Sequence, residues 1–190
     1  MGVDGVTISA PGARVFQGKR IWAMTQDAFL AAAALIAAHE ETFAPDLVIG
    51  LARGGVSLAR ETARILGTPA AEIRVQHNVS DLVGIQATGE VEVDEAALRA
   101  AAASARRVLI VDDICGSGAT LMAVTSLLAD AGVEARTAVL CRNDGARFHS
   151  LDTWVWPVAD WVAFPWEAPP PPDSTPLPHP RQVHTTQEAP

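Results

Sequence analysis

The stretch Val108-Leu109-Ile110-Val111-Asp112-Asp113-Ile114-Cys115-Gly116-Ser117-Gly118-Ala119-Thr120 constrains what this chain can fold into more than any other. Four apolar residues suited to a buried strand run into two adjacent carboxylates. A loop of small residues follows, and then an apolar periodic segment, Leu121 to Ala131, that reads as a helix. A strand that ends in acids and opens through a Gly/Ser/Thr turn at a helix N-terminus suits a sugar phosphate held at both ends. The carboxylates can take ribose hydroxyls, while loop N–H groups and the helix dipole take the phosphate.

A second unit of the same kind precedes it. Asp46 to Leu51 reads as a short buried strand, followed by Ala52-Arg53-Gly54-Gly55 and a helix from Val56 to Leu66 that Gly67 closes. Arg53 offers a fork-shaped cation, and the glycines allow close backbone approach to an anion. Alone, Arg-Gly-Gly reads as a turn; beside the acid-bearing strand it becomes a second phosphate site. Upstream, Thr25 can cap a helix that ends near Phe43, because Pro45 disfavours helix at the residue before it. Residues 1 to about 23 read as an irregular arm or a short strand around Arg20-Ile21-Trp22.

Ala70 to Val79 reads as a strand, and Glu95 to Ala103 as a helix. Between them Ser80 to Val93 is polar and weakly periodic, the pattern of a lid or of a solvated hairpin. It carries Asp81, Glu90 and Glu92 and no Lys or Arg. Glu134 to Cys141, Thr153 to Val158 and Trp161 to Phe164 read as further strands. Trp154, Trp156, Trp161 and Trp166 crowd the last two, where aromatic groups more often build core or interface. Alternating strand–loop–helix units imply an α/β fold, a mostly parallel, doubly wound sheet with ligands at the carboxyl ends of its strands.

The expected organisation is an N-terminal arm over residues 1–23, one domain over 24–167 and a disordered or polyproline tail over 168–190. That tail holds eight of the 13 prolines and shows no apolar periodicity. The net charge of −8 argues against a nucleic-acid partner. The most apolar run, Phe29 to Ala38, is half of the roughly 20 residues that cross a bilayer. Cys115 and Cys141 lack metal-ligand spacing and fit a reducing cytoplasm. A homodimer is compatible with all of this.

The opening stretch closely resembles the phosphoribosyl diphosphate (PRPP) motif of type I phosphoribosyltransferases: an apolar strand, two acids, a variable pair, then Thr/Ser-Gly-x-Thr. Arg53-Gly54 resembles that family's diphosphate loop, and residues 75–93 fall where its flexible hood lies. Asp160-Trp161-Val162-Ala163-Phe164-Pro165-Trp166-Glu167 is similar to the C-terminal segment of the xanthine-guanine members, whose first Trp stacks on the purine. The resemblance implies that Asp112 and Asp113 accept from the ribose hydroxyls beside Mg²⁺, as catalytic and metal-binding residues. Gly116, Ser117, Gly118, Ala119 and Thr120 would wrap the 5-phosphate. Arg53 would hold the diphosphate with Gly54, and Arg142, Trp161 and Glu167 would meet the acceptor.

Two positions depart from that pattern. The 6-oxopurine enzymes carry an Asp that serves the base's N7 where this chain has Gly116, and a general base is typically worth about 10²–10⁴-fold. The lysine that reads the purine 6-oxo group is replaced by Arg142, whose reach differs. Three readings therefore stand: transfer to a purine-like base, transfer to a non-nucleobase acceptor such as an amino-sugar hydroxyl, or a PRPP or nucleotide sensor without turnover.

Overall fold

A computed structural model describes residues 17–77, 91–146, 148 and 150–186. In chain order the elements are β1 (Ile21–Ala23), α1 (Gln26–Glu40), β2 (Leu47–Ala52), α2 (Val56–Leu66), β3 (Ala70–His77), β4 (Val91–Val93) and α3 (Glu95–Ala102). There follow β5 (Arg107–Cys115), α4 (Ala119–Asp130), β6 (Glu134–Asn143), β7 (Thr153–Val158), β8 (Trp161–Ala163), β9 (Thr175–Pro176) and β10 (His184–Thr185).

The main sheet has the order β10-β7-β6-β5-β2-β3-β4. Its five inner strands are parallel, and the two outermost pair antiparallel. Strands buried on both faces need continuous apolar runs, and β2 and β5 have them. Alternate residues of β5 divide between two cores. Leu109 and Val111 pack toward α1 and α2, while Val108 and Ile110 pack with Leu98 of α3 and Leu121 and Val124 of α4. The layers are thus helix, sheet, helix, as the sequence implies.

Local chemistry sets the ends of these elements. Thr25 Oγ1 accepts from Ala28 N–H at 3.1 Å and starts α1, and Asp94 Oδ1 accepts from Ala97 N–H at 3.0 Å and starts α3. At the amino ends of β2 and β5, the Asp46 carboxylate accepts the N–H groups of Arg106 (2.8 Å) and Arg107 (2.9 Å), which hold it below its ordinary pKa.

Of the irregular arm or short strand expected around Arg20-Ile21-Trp22, the strand forms: β1 lies between β8 and β9 in a three-stranded parallel sheet. One expectation changes. The Pro-rich tail, expected to be disordered or polyproline, is packed onto the domain through residue 186. Leu177 is buried and its N–H donates to Ala23 O, Trp156 Nε1–H donates to Pro178 O at 3.0 Å, and β10 adds to the edge of β7. Proline has no N–H, so composition reads as polyproline. The residues between and beside the prolines supply the N–H donors, Leu177 among them, and strand pairs form at Thr175–Pro176 and His184–Thr185. The segment expected to form a lid lies mostly outside the described residues, at 78–90; its base is an antiparallel pair, with Val75 opposite Val93.

Candidate active site

The site follows from where two neighbouring strands send their chains. β2 and β5 are adjacent and parallel, but α2 packs on one face of the sheet and α4 on the other. Loops leaving neighbouring strands in opposite directions open a crevice at their carboxyl ends, the usual place for a ligand in such sheets. Arg53, Gly54 and Gly55 form one lip, and Gly116, Ser117 and Gly118 form the other.

Asp112 and Asp113 lie near the carboxyl end of β5, between the lips, both half-buried. Asp113 N–H donates to Asp112 Oδ1 at 2.9 Å. The Asp112 carboxyl is pushed well above the usual carboxylate range, first by burial and then by the like charge of Asp113. The lips touch through the acids: a Cβ at Gly54 would fall within the Asp113 carboxylate, so only glycine lets the β2 loop approach this closely. Arg53 beside it is exposed.

On the β5 side, Gly118 caps α4 with φ +90°, a left-handed conformation that L side chains rarely adopt. A Cβ there would collide with that of Phe148 and lie 3.0 Å from its Cγ, so the β6–β7 connection buttresses the loop directly. Ser117 Oγ accepts from Ala119 N–H at 3.3 Å. Ala119 is buried and Thr120 half-buried in the first turn of α4, which presents its amino end to the crevice. Cys115 closes the strand below this loop. Burial, then the Asp112 charge, pushes its thiol up to about 12, against the opposing charge of Arg142.

The acceptor-side residues come together less tightly. Arg142 sits opposite Cys115 in the β5–β6 register, and its guanidinium carbon lies 4.9 Å from the ring centroid of Trp154. Trp161 is half-buried in β8, opposite Ile21. Glu167 is exposed, and its Oε2 accepts from Phe164 N–H at 2.9 Å, a local turn bond. Trp166 stacks on Phe164 at 5.1 Å and meets Phe29 of α1 edge-on at 5.3 Å, so it is cladding for the core. Of the acids beside this region, Asp160 is buried with Oδ1 on Lys19 N–H at 3.1 Å, and Asp144 is exposed. The sequence singled out neither Phe148 nor the Trp154–Arg142 contact. Both join residues brought together by the fold, and no spacing rule signals them.

The phosphoribosyl transferase domain family matches residues 23–172. The chain belongs to that family, and it is a phosphoribosyltransferase of the type I fold. Among solved structures, the purine phosphoribosyltransferase of Pyrococcus horikoshii is 25% identical, with a TM-score of 0.64 over 82% of this chain and 99% of that one. The xanthine-guanine-hypoxanthine phosphoribosyltransferase of Helicobacter pylori is 18% identical, with a TM-score of 0.62 over 77% and 91%. A Neisseria gonorrhoeae protein with bound ppGpp is 22% identical, with a TM-score of 0.57 over 78% and 89%. The last two are likenesses of fold alone. No curated protein sequence matches the chain.

Proposed function

We propose that the enzyme moves the 5-phosphoribosyl group of PRPP to a purine-like base and releases diphosphate. One observation carries this reading: the half-buried pair Asp112 and Asp113 stands between two glycine lips at the point where the chain turns to opposite faces of the sheet. Asp112 and Asp113 accept from the ribose hydroxyls. Gly116 to Thr120 surround the 5-phosphate with N–H groups and the Ser117 and Thr120 hydroxyls. Arg53 and the Gly54 amide take the diphosphate.

Two like-charged carboxylates beside a polyanion are a suitable seat for Mg²⁺, which binds through one or two carboxylates and the oxygens of its phosphate partner. Among the described residues there is no group of three or more such ligands, so the protein offers a shared seat and no closed cage. Asp112 and Asp113 would hold the ion, which when bound would supply charge neutralisation for the diphosphate. The chain's own contribution is to hold the donor in line and to stabilise charge as the bond to the anomeric carbon breaks. Trp161 gives the acceptor a face to stack on, Arg142 a donor at its edge, and Glu167 a carboxylate at the mouth.

Gly116 favours a second reading, a non-nucleobase acceptor such as an amino-sugar hydroxyl, because no carboxylate stands there to serve a purine N7. Diphosphate release from PRPP and Mg²⁺, measured against guanine, hypoxanthine, xanthine and an aminoglycoside-type acceptor, separates the two. Release with a purine supports the first reading, and release with the amino sugar alone supports the second. Silence with every acceptor would overturn both and leave a binding module. The expected location is the cytoplasm, and no helix among the described residues is long and apolar enough to cross a membrane.

A further inference from the structure

The described part of the Pro-rich C-terminal segment reaches the proposed acceptor side of the enzyme. It pairs in parallel with β1 at Thr175–Pro176, accepts the Trp156 indole N–H through Pro178 O, and then lays His184 opposite Trp154 and Thr185 opposite Thr153 as β10. Thr186 Oγ1 donates to Leu151 O just beyond. At its end the His184 ring stacks on Trp154, with centroids 6.0 Å apart and planes 21° from parallel. The same indole, only 5% exposed, carries the Arg142 guanidinium at 4.9 Å. Arg142 itself lies in register with Cys115, the residue before Gly116.

We propose that this segment is a positioning element of the acceptor site: His184 steadies the Trp154 indole, and the indole holds the Arg142 guanidinium ready for the acceptor. His184 and Trp154 are positioning residues; neither needs to touch the substrate. An arginine side chain has many rotamers, and a guanidinium already docked on an aromatic face loses less freedom when it meets its ligand. Simple core filling accounts for Trp154 but not for Arg142. A half-buried cation at the carboxyl end of a strand could extend into water, yet it lies over the ring. The inference rests on the reading of Arg142 as an acceptor donor, and the test keeps the two apart.

The test uses the full chain with PRPP, Mg²⁺ and guanine, comparing wild type with His184→Ala, His184→Phe, Arg142→Met and the double variant His184→Ala/Arg142→Met. His184→Ala should raise the KM for guanine about threefold to fivefold while the KM for PRPP stays within about twofold. His184→Phe keeps a stacking ring and should restore it. The double variant should resemble Arg142→Met alone, because the histidine acts through the arginine. The Arg142 Nε–H resonance in ¹⁵N NMR, assigned by its loss in Arg142→Met, should show the ring current of Trp154 and move in His184→Ala.

If Arg142→Met raises the guanine KM and His184→Ala does not, the positioning role is wrong and the acceptor reading survives. Additive effects in the double variant, or equal changes in both KM values, overturn the role as well. Where hypoxanthine or xanthine is the purine used, it replaces guanine in every arm; if the wild type uses none of the three, or Arg142→Met leaves the purine KM unchanged, the acceptor reading falls and takes the positioning role with it.

Discussion

Two carboxyls at opposite ends of the central sheet, Glu40 and Asp112, are both pushed above their usual range by burial, and their neighbours make them different devices. Glu40, fully buried at the end of α1, is answered from within the protein. Thr153 Oγ1 donates to Oε1 at 2.6 Å, and Arg136 Nε lies 3.0 Å from Oε2. Thr137 N–H and Oγ1–H in turn hold Asp152 beside that arginine, at 2.8 and 2.9 Å. Asp112 faces a second acid, and the largest influence after burial is repulsion from Asp113. The first arrangement ties α1 to β6 and β7. The second stores unfavourable charge that ribose hydroxyls and a cation would relieve.

That contrast predicts opposite responses. Asp113→Asn should lower kcat/KM for PRPP by about 10²–10³-fold, the loss of charge-assisted bonds made to the ribose. The same change removes a like charge next to Asp112, so the urea midpoint should stay level or rise. Near-normal turnover would refute the assigned role of Asp113.

Gly118→Ala probes the lip between those acids and α4. The added methyl meets Phe148 in a left-handed turn, and overpacking of this kind costs about 1–3 kcal/mol. Both the Tm and the affinity for PRPP should fall. Adding Phe148→Gly, which removes the Cβ that the new methyl meets, should return part of the loss in stability relative to Phe148→Gly alone if the collision is the cause; an undiminished loss in the double variant would point to backbone strain alone.

Glu40→Gln should have the smallest effect, confined to stability. The fold raises the pKa of Glu40 above its ordinary 4.5. Its contribution is therefore fullest below that value and declines as pH climbs through the raised one. Gln cannot titrate, so the variant's urea midpoint should change less than the wild type's between about pH 4 and pH 8, with turnover unaffected. Equal pH slopes in the two proteins would mean that Glu40 is not the group responsible.

The proposed donor side is readable in the sequence because its parts are local. The run from Val108 to Thr120 carries strand, acids, turn and helix start in one unbroken order, and Ala52 to Gly55 repeats the plan. Burial of apolar runs and glycine-permitted turns are properties of neighbours in sequence. The proposed acceptor side draws on β6, β7, β8 and the C-terminal segment. Arg142 was singled out, but its seat on Trp154 was not, and the segment that reaches Trp154 read as a free tail. Proline-rich composition reports that backbone donors are scarce. It does not report whether a groove exists to receive the chain.

By itself the sequence determined a parallel α/β sheet, the two phosphate-type turns and the acid pair, because each depends on residue types at short fixed spacing. Only the tertiary structure decided that the two turns share one crevice, since that depends on α2 and α4 packing on opposite faces of adjacent strands. It also decided that Phe148 closes on Gly118 and that the last described residues reach Trp154. These contacts join parts of the chain roughly 30 or more residues apart, and their energy comes from surfaces that exist only once the sheet has formed.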